Sequence, residues 1–205
     1  MDTREHWDRV YASKAPQEGS WFCAHLKTSI ALIERVAGDR DAAIIDVGGG
    51  ASTLVDDLLS GGYRNVSVLD ISQSALEVAK ERLGDASRMV QWVCADVTRG
   101  ALPAKSYDVW HDRAVFHFLT QAQLRRDYVS KATSAVKTGG HVIVSTFGPE
   151  GPTRCSGLDV VRYDSESLHA EFGPRFRLVD SLTELHRTPL GATQQFLFCH
   201  FILES

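Results

Sequence analysis

The chain has 205 residues, of which 43% are apolar and 23% are charged, and its formal net charge is -4 at neutral pH. This length suits one globular domain with a substantial core, and a mildly acidic chain without a basic stripe argues against a nucleic-acid partner. No run reaches the roughly 18 apolar residues of a bilayer span, and the amino terminus lacks an apolar signal segment, so we expect a cytoplasmic protein without a membrane partner. The four cysteines are widely spread, and no metal site is predicted.

Short runs rich in Val and Ile alternate with helical segments along most of the chain. One helix is predicted over 72–84, where Ser72 can cap the start and Gly84 can end it, and another over about 121–137. The alternation predicts a parallel sheet with helices on both faces, and the last two strands read as an antiparallel pair at the sheet edge. The predicted strands are 42–47, 65–70, 89–96, 107–112, 141–147, 176–187 and 194–204.

A glycine-rich turn follows the first predicted strand in "IIDVGGGAST", residues 44–53. Three consecutive glycines let the backbone approach a ligand closely at the carboxyl end of a strand. Asp70 and Asp96 end the next two strands, where carboxylates can accept hydrogen bonds from ribose hydroxyls and from an adenine amino group. Either acid alone more often caps a helix, and the turn alone can exist without a ligand, but together they predict a nucleoside site.

The spacing around the glycines distinguishes between nucleoside cofactors. Counted from Gly48, the dinucleotide fingerprint fails because Thr53 occupies its third small position. Counted from Asp46, the pattern acid-x-Gly-x-Gly-x-Ser resembles the class I S-adenosylmethionine-dependent methyltransferases, with Ser52 in place of a frequent third glycine. The resemblance covers about residues 41–147 by motif and extends to the end through the terminal hairpin. It implies an α/β fold with a Rossmann-like, doubly wound seven-stranded sheet, mostly parallel with a C-terminal antiparallel hairpin.

The same resemblance implies S-adenosyl-L-methionine as cofactor and S-adenosyl-L-homocysteine as product. It divides a single domain, 1–205, into an N-terminal helical cap (1–40), a cofactor-binding core (41–147) and a segment with an acceptor loop, a helix and the hairpin (148–205). The implied cofactor-binding residues are Asp46, Gly48, Gly49, Gly50, Asp70, Ile71, Asp96 and Val97.

The stretch "YDVWHDRAVFHFLT", residues 107–120, follows the fourth strand, where this family places residues between cofactor and methyl acceptor. A strand period of two puts Trp110 and Asp112 on one face and His111 and Arg113 on the other, so these side chains cannot all face the acceptor. A packed histidine and an arginine that only orients an acid are the plain alternatives. The catalytic candidates are Asp112, His117, His111 and Arg113.

Two further segments are expected to cover the acceptor. The aromatic amino-terminal stretch can form a lid, and the loop at 149–157 can approach the pocket; a packed helix and a surface turn are the plain alternatives. The predicted substrate-binding residues are Tyr11, Trp21, Phe116, Arg154 and Cys155.

Aromatic cover with few bases suits a small, soft acceptor that needs little deprotonation, so S-methylation of sulfide or a thiol is the favoured activity. The run Asp-Arg-small-hydrophobic after the fourth strand resembles thiopurine and related thiol methyltransferases. The pattern Trp-Asp-x-x-Tyr near the start, followed by "SWF", resembles lysine methyltransferases that modify citrate synthase or elongation factors. Methylation of a lysine on a protein partner and a non-catalytic module that only binds S-adenosylmethionine therefore remain as alternatives.

Overall fold

The computed structural model of the chain describes residues 3–13 and 16–205, so residues 1, 2, 14 and 15 of the predicted cap lie outside the described residues. Its helices are α1 (Thr3–Ser13), α2 (Lys27–Val36), α3 (Leu54–Ser60), α4 (Gln73–Leu83), α5 (Ala122–Ala135) and α6 (Ser165–Phe172). Its strands are β1 (Ile44–Val47), β2 (Val66–Asp70), β3 (Val90–Cys94), β4 (Tyr107–Arg113), β5 (Val136–Phe147), β6 (Arg154–Cys155), β7 (Leu158–Asp159), β8 (Phe176–Arg187) and β9 (Thr193–Leu203). Within these residues, no helix is both long enough and apolar enough to cross a bilayer.

Seven strands form one sheet in the order β3-β2-β1-β4-β5-β9-β8. The first five are parallel, with Ile44 opposite both Val66 and Val109, whereas β9 runs antiparallel to β5 and β8. The predicted fold class, a Rossmann-like doubly wound sheet that ends in an antiparallel hairpin, is confirmed.

The sheet is buried on both faces, as the near-continuous apolar strands require. On one face, Ile33 of α2 and Leu58 of α3 are fully buried in a core that includes inward side chains of β1, β4 and β5. On the other face, Tyr128 of α5 and Phe172 of α6 pack into a second core. Helices therefore cover the two faces and leave the carboxyl ends of the parallel strands open to a ligand.

Two local features differ from the prediction. The second predicted helix, 121–137, is too long, because α5 ends at Ala135. The next residue, Val136, already begins β5 and pairs with Tyr107 of β4. A short hairpin of β6 and β7 was also missed. Its turn residues Ser156 and Gly157 have positive φ angles of 50° and 80°, and Ser-Gly is a dipeptide that marks such turns. By contrast, the predicted cap of α4 is present, since Ser72 Oγ accepts a hydrogen bond from the backbone N–H of Ala75 at 3.1 Å.

Candidate active site

The carboxyl ends of the parallel strands open onto a cavity of about 180 Å³. It lies where β1 and β4 are neighbours, the point at which the strand order reverses and ligands of open α/β sheets bind. Its strand-end side is formed by Val47, Gly48, Leu69, Asp70, Ile71, Ala95, Asp96, Val97 and Thr98. Its aromatic side is formed by Trp7, Tyr11, Trp21, Arg113, Ala114, Val115, Phe118, Leu119, Leu124 and Cys155.

The glycine turn brings the backbone against neighbouring side chains. Gly48 has a φ of 70°, and a Cβ atom there would collide with the side chain of Val115. Gly50 has a φ of 37°, and a Cβ atom there would lie 2.7 Å from Oδ2 of Asp70. Both positions therefore require glycine for conformation and for space, which keeps the crevice open to a ligand at the end of β1.

Two carboxylates stand at the ends of β2 and β3. Asp70 Oδ1 accepts a hydrogen bond from the backbone N–H of Ser72 at 2.8 Å. Burial raises the pKa of Asp70 to about 7, and the nearby carboxylates of Asp46 and Asp8 add to this effect. Asp96 Oδ1 accepts from both the backbone N–H and the hydroxyl of Thr98, at 2.8 and 2.7 Å. A flat heterocycle with a ribose fits this arrangement, because Ile71 and Val97 line the cavity beside the two acids.

Helix α1 is fastened to the loop that carries Asp70. Asp8 Oδ1 accepts a hydrogen bond from Ser72 Oγ at 2.6 Å, and the backbone N–H of the same serine binds Asp70. This contact seats α1 so that Trp7 and Tyr11 line the cavity. The helix is thus tied to the strand-end side while its aromatic residues form the opposite wall.

The aromatic wall is a set of edge contacts between rings from three segments. The ring of Trp7 lies 5.2 Å from Phe118 and 5.9 Å from Trp21, and the rings of Tyr11 and Trp21 are 6.1 Å apart. Such edge-to-face aromatic pairs are favourable, and together the rings make this side of the cavity apolar.

Asp112 does not line the cavity. It is fully buried, and its Oδ1 accepts from the backbone N–H of Val115 at 2.8 Å while Oδ2 accepts from Phe116 N–H at 3.1 Å and from the Tyr128 hydroxyl at 2.6 Å. Trp110 donates to the same hydroxyl at 2.9 Å, so Trp110 and Asp112 share a face as the strand period predicted. Burial raises the pKa of Asp112 to about 6. This geometry favours a structural role, in which the carboxylate shapes the turn after β4.

His117 and Phe116 also lie in the core rather than in the cavity wall. His117 Nδ1 accepts from the backbone N–H of Phe147 at 3.2 Å, and its Nε2 has no partner among the described residues. Burial lowers the pKa of His117 to about 3, so the ring stays neutral with its proton on Nε2. Phe116 packs on Tyr128 with ring centroids 5.0 Å apart. Its neighbour Phe118, which was not among the predicted substrate-binding residues, faces the cavity instead.

His111 and Arg113 point to the other face of the sheet. His111 is fully buried between Asp46 and Ser29, at 2.8 and 2.9 Å. Arg113 lines the cavity, donates to the backbone carbonyl of Trp21 at 3.1 Å, and has its nearest carboxylate, Glu184, at 3.9 Å. Arg113 does not pair with Asp112, so the alternative that it orients this acid is not supported by the contacts.

In the hairpin of β6 and β7, the two predicted substrate-binding residues Arg154 and Cys155 point in different directions. Arg154 is exposed, donates to the carbonyl of Gly157 at 2.6 Å and pairs with Asp159 at 3.2 Å, so it is directed away from the cavity. Cys155 is buried and lines the cavity. Alternation along a strand explains why only one of two adjacent residues faces the site.

The cavity also includes residues outside the predicted substrate-binding set. Trp7, which belongs to the aromatic stretch expected to form a lid, lies one helical turn before Tyr11 on the same face of α1. Ala114 has a positive φ of 73°, a strained conformation for a residue with a side chain, and this backbone turn places Val115 against the glycine turn. Nothing in the local sequence indicates such a conformation at an alanine.

Fold and crevice together define a Rossmann-like α/β protein with a cavity at its topological switch point. Residues 44–140 match the family model described as "Methyltransferase domain". Solved structures that share the fold include complexes with S-adenosylhomocysteine. Residues 44–140 therefore carry a methyltransferase domain of the S-adenosylmethionine-dependent class, and the predicted class and cofactor are confirmed.

Several known proteins are similar to this chain. A malonyl-[acyl-carrier protein] O-methyltransferase from Anoxybacillus flavithermus is 31% identical over 124 residues, which are 60% of this chain and 45% of that relative, so the chain spans less than half of its length. EEF1A lysine methyltransferase 2 from Homo sapiens is 22% identical over 200 residues, which are 89% of this chain and 77% of the relative. A solved structure described as "Conversion of a Disulfide Bond into a Thioacetal Group during Echinomycin Biosynthesis" has a TM-score of 0.80 and 17% identity, covering 98% of this chain and 91% of that one.

The buried contacts of Asp112 predict a large loss of stability when the carboxylate is removed. Asp112→Ala leaves two backbone N–H groups and the O–H donor of Tyr128 without an acceptor, so the free energy of unfolding should fall by about 3 kcal/mol, measured by urea denaturation. Tyr128→Phe removes one of these bonds and also the acceptor of Trp110 Nε1, so it should cost about 2 kcal/mol. Wild-type stability of Asp112→Ala combined with lost turnover would contradict the structural role and return Asp112 to the catalytic group.

The raised pKa of Asp70 predicts pH-dependent cofactor affinity. The ionised carboxylate is the form that accepts hydrogen bonds from ribose hydroxyls, and below pH 7 most of the ligand-free protein carries the acid form. The affinity for S-adenosylhomocysteine, measured by calorimetry, should therefore fall roughly tenfold from pH 8 to pH 6. Asp70→Asn should bind more weakly and lose this slope, whereas Asp41→Asn, at an exposed pair with Arg64, should keep it. A slope that persists in Asp70→Asn would assign the titration to another group.

Proposed function

We propose that the protein transfers a methyl group from S-adenosylmethionine to a small, soft nucleophile that arrives as an anion, with sulfide or a thiolate as the acceptor. The observation that carries this proposal is the composition of the cavity: an aromatic wall and one guanidinium, with no histidine among the described lining residues. The two carboxylates of the cavity, Asp70 and Asp96, are assigned to the ribose and the adenine, so an acceptor that must first lose a proton finds no further carboxylate and no histidine among the described lining residues.

The strand-end side of the cavity suits the cofactor. Asp70 would accept hydrogen bonds from the ribose, Asp96 would accept from the adenine amino group, and Ile71 and Val97 would flank the ring, with the glycine turn near the methionine part. When bound, S-adenosylmethionine supplies an electrophilic methyl group on a sulfonium. The aromatic side is then left for the acceptor, in a space that its rings make apolar.

The polar groups near the acceptor side are poor bases. Burial raises the pKa of the Tyr11 hydroxyl above its ordinary value, and the charge of Asp70 adds to this shift. Burial also raises the pKa of the Cys155 thiol, which keeps it protonated and prevents it from competing for the methyl group. His117 is outside the cavity lining and stays neutral. The protein is thus equipped to align an acceptor rather than to deprotonate one.

Arg113 supports an anionic acceptor. Its side chain is only 8% exposed, and Glu184 at 3.9 Å is a distant counterion. Burial lowers the pKa of this arginine, although the group remains charged at neutral pH. A thiolate in the cavity would meet a positive charge in a medium of low polarity, where the attraction is stronger than in water.

A protein lysine is the second candidate acceptor. It is supported by the similarity to EEF1A lysine methyltransferase 2 and by an open groove of about 720 Å³ between the loop before α2 and the end of β8, which Arg113 also lines. The thiol is preferred because a lysine arrives protonated and needs a base. The fold neighbour described for formation of a thioacetal in echinomycin biosynthesis agrees with chemistry at sulfur.

An isosteric acceptor series tests the proposal. Thiophenol, phenol and aniline have nearly the same shape, so differences in transfer of a labelled methyl group report the chemistry of the accepting atom. Without a lining base, kcat/KM for phenol should be at least roughly a hundredfold below that for thiophenol. Sulfide should also be methylated. Equal rates for phenol and thiophenol, or label only in a protein band of a cell lysate, would contradict the thiol assignment, and no turnover with any acceptor would favour a binding module.

The role of Arg113 predicts a charge-selective defect. Arg113→Gln keeps a hydrogen-bond donor but removes the positive charge, so kcat/KM for a thiolate should fall by roughly 10- to 100-fold. Turnover of an uncharged acceptor such as aniline should change much less. Arg177→Gln, at an exposed pair with Glu204, is the matched control and should leave both rates unchanged. An equal loss for charged and neutral acceptors would show that Arg113 supports the pocket without sensing charge.

A further inference from the structure

A second, smaller cavity of about 50 Å³ adjoins the main one. Its walls include the glycine turn and the side chains of Asp46, His111 and Arg113, and it shares Gly48 and Arg113 with the main cavity. A ligand that lies on the strand-end side can therefore extend a short polar group into this space.

Asp46 presents one carboxylate oxygen to this cavity. Its Oδ1 is occupied by His111 Nδ1 at 2.8 Å, whereas no described residue donates a hydrogen bond to its Oδ2. Oδ2 lies against the glycine turn, 2.5 Å from where a Cβ atom of Gly49 would stand. Asp46 is only 3% exposed, but Oδ2 is not among the fully enclosed unpartnered atoms of the described residues, so it stays accessible from the cavity and can accept a hydrogen bond from a ligand there.

His111 is held from both ends by residues of two other elements. Asp46 on β1 binds its Nδ1, and Ser29 on α2 lies 2.9 Å from its Nε2. Because the Asp46 carboxylate can only accept, His111 Nδ1 carries a proton and donates to it, and the Ser29 hydroxyl holds the other ring nitrogen. All three residues are at most 3% exposed. The chain of bonds from Ser29 through His111 fixes which way the Asp46 carboxylate is turned.

We propose that His111 and Ser29 are positioning residues that hold Asp46 Oδ2 toward the α-ammonium group of the cofactor's amino-acid part. Of these three side chains, only Asp46 contacts the ligand, and His111 and Ser29 act through it. His111 thereby serves cofactor recognition, rather than the acceptor chemistry for which its place after the fourth strand made it a candidate. The inference rests on the cofactor part of the proposed function and is independent of the acceptor.

The alternative is that the three residues only anchor α2 to the sheet. These explanations differ in which ligands they affect. S-adenosylhomocysteine carries the α-ammonium group, whereas 5′-methylthioadenosine has the same adenosine and sulfur without the amino-acid part. An anchoring role affects both ligands alike, but a positioning role affects only the first.

Calorimetric titration of both ligands into the full chain tests the inference. In His111→Gln, the Kd of S-adenosylhomocysteine should rise roughly tenfold while that of 5′-methylthioadenosine stays at the wild-type value. Asp46→Asn should show the same selectivity. Ser29→Ala, a milder change that preserves the ring, should shift the ratio of the two Kd values in the same direction and keeps the test valid if His111→Gln does not fold. Nitrogen NMR should show the His111 proton on Nδ1.

A matched control comes from another buried histidine. His200 lies in β9 at the far end of the sheet, with its Nε2 2.9 Å from His141 Nδ1. His200→Gln should leave the ratio of the two Kd values unchanged, whatever its effect on stability. Equal weakening of both ligands in His111→Gln and Ser29→Ala would overturn the inference in favour of anchoring, and unchanged binding of both would overturn it as well. Neither result depends on which acceptor the protein methylates.

Discussion

The pairing of β1 with β4 is the constraint on which the rest of the site depends. These strands are parallel neighbours, yet α3 and α5, the helices that follow them, pack on opposite faces of the sheet. The chain therefore diverges at this point and leaves a crevice that neither α3 nor α5 covers. The two turns at the crevice are fitted to each other, since the absence of a side chain at Gly48 makes room for Val115. A change in this register would separate the cofactor loop from the residues after β4.

Depth of burial, rather than residue type, separates the functions of the polar residues after β4. Asp112 and Arg113 are adjacent in the sequence, but strand alternation sends one into a closed network with Tyr128 and the other to the cavity. Asp112 has all its hydrogen-bond capacity directed at the protein itself. Arg113 keeps a charge beside an open space. Of these two adjacent charged residues, Asp112 thus serves the architecture and Arg113 is available to the ligand.

The sequence was sufficient for the fold and for the general place of the site, because both depend on local patterns. Apolar runs ending in Gly or Asp located the strands, and the spacing from Asp46 to Asp70 located the crevice. The direction in which each side chain points was harder to predict. His117 and Phe116 were candidates because of their position, but their side chains turn into the core, and only tertiary packing decides that. The hydrogen bond between His111 and Ser29 joins residues that are 82 positions apart, and no local sequence pattern predicts it.

The contact between Asp8 and Ser72 has a consequence for how this protein can diversify. One serine supports the loop of Asp70 through its backbone and the seat of α1 through its hydroxyl. A substitution of Ser72 by any residue other than proline keeps the backbone N–H that Asp70 binds, whereas loss of the hydroxyl removes the contact with Asp8 and the cap of α4. Trp7 and Tyr11 line the cavity from α1 without contributing to the loop of Asp70. Substitutions at these two positions can therefore change acceptor preference while the contact between Ser72 and Asp70 stays in place.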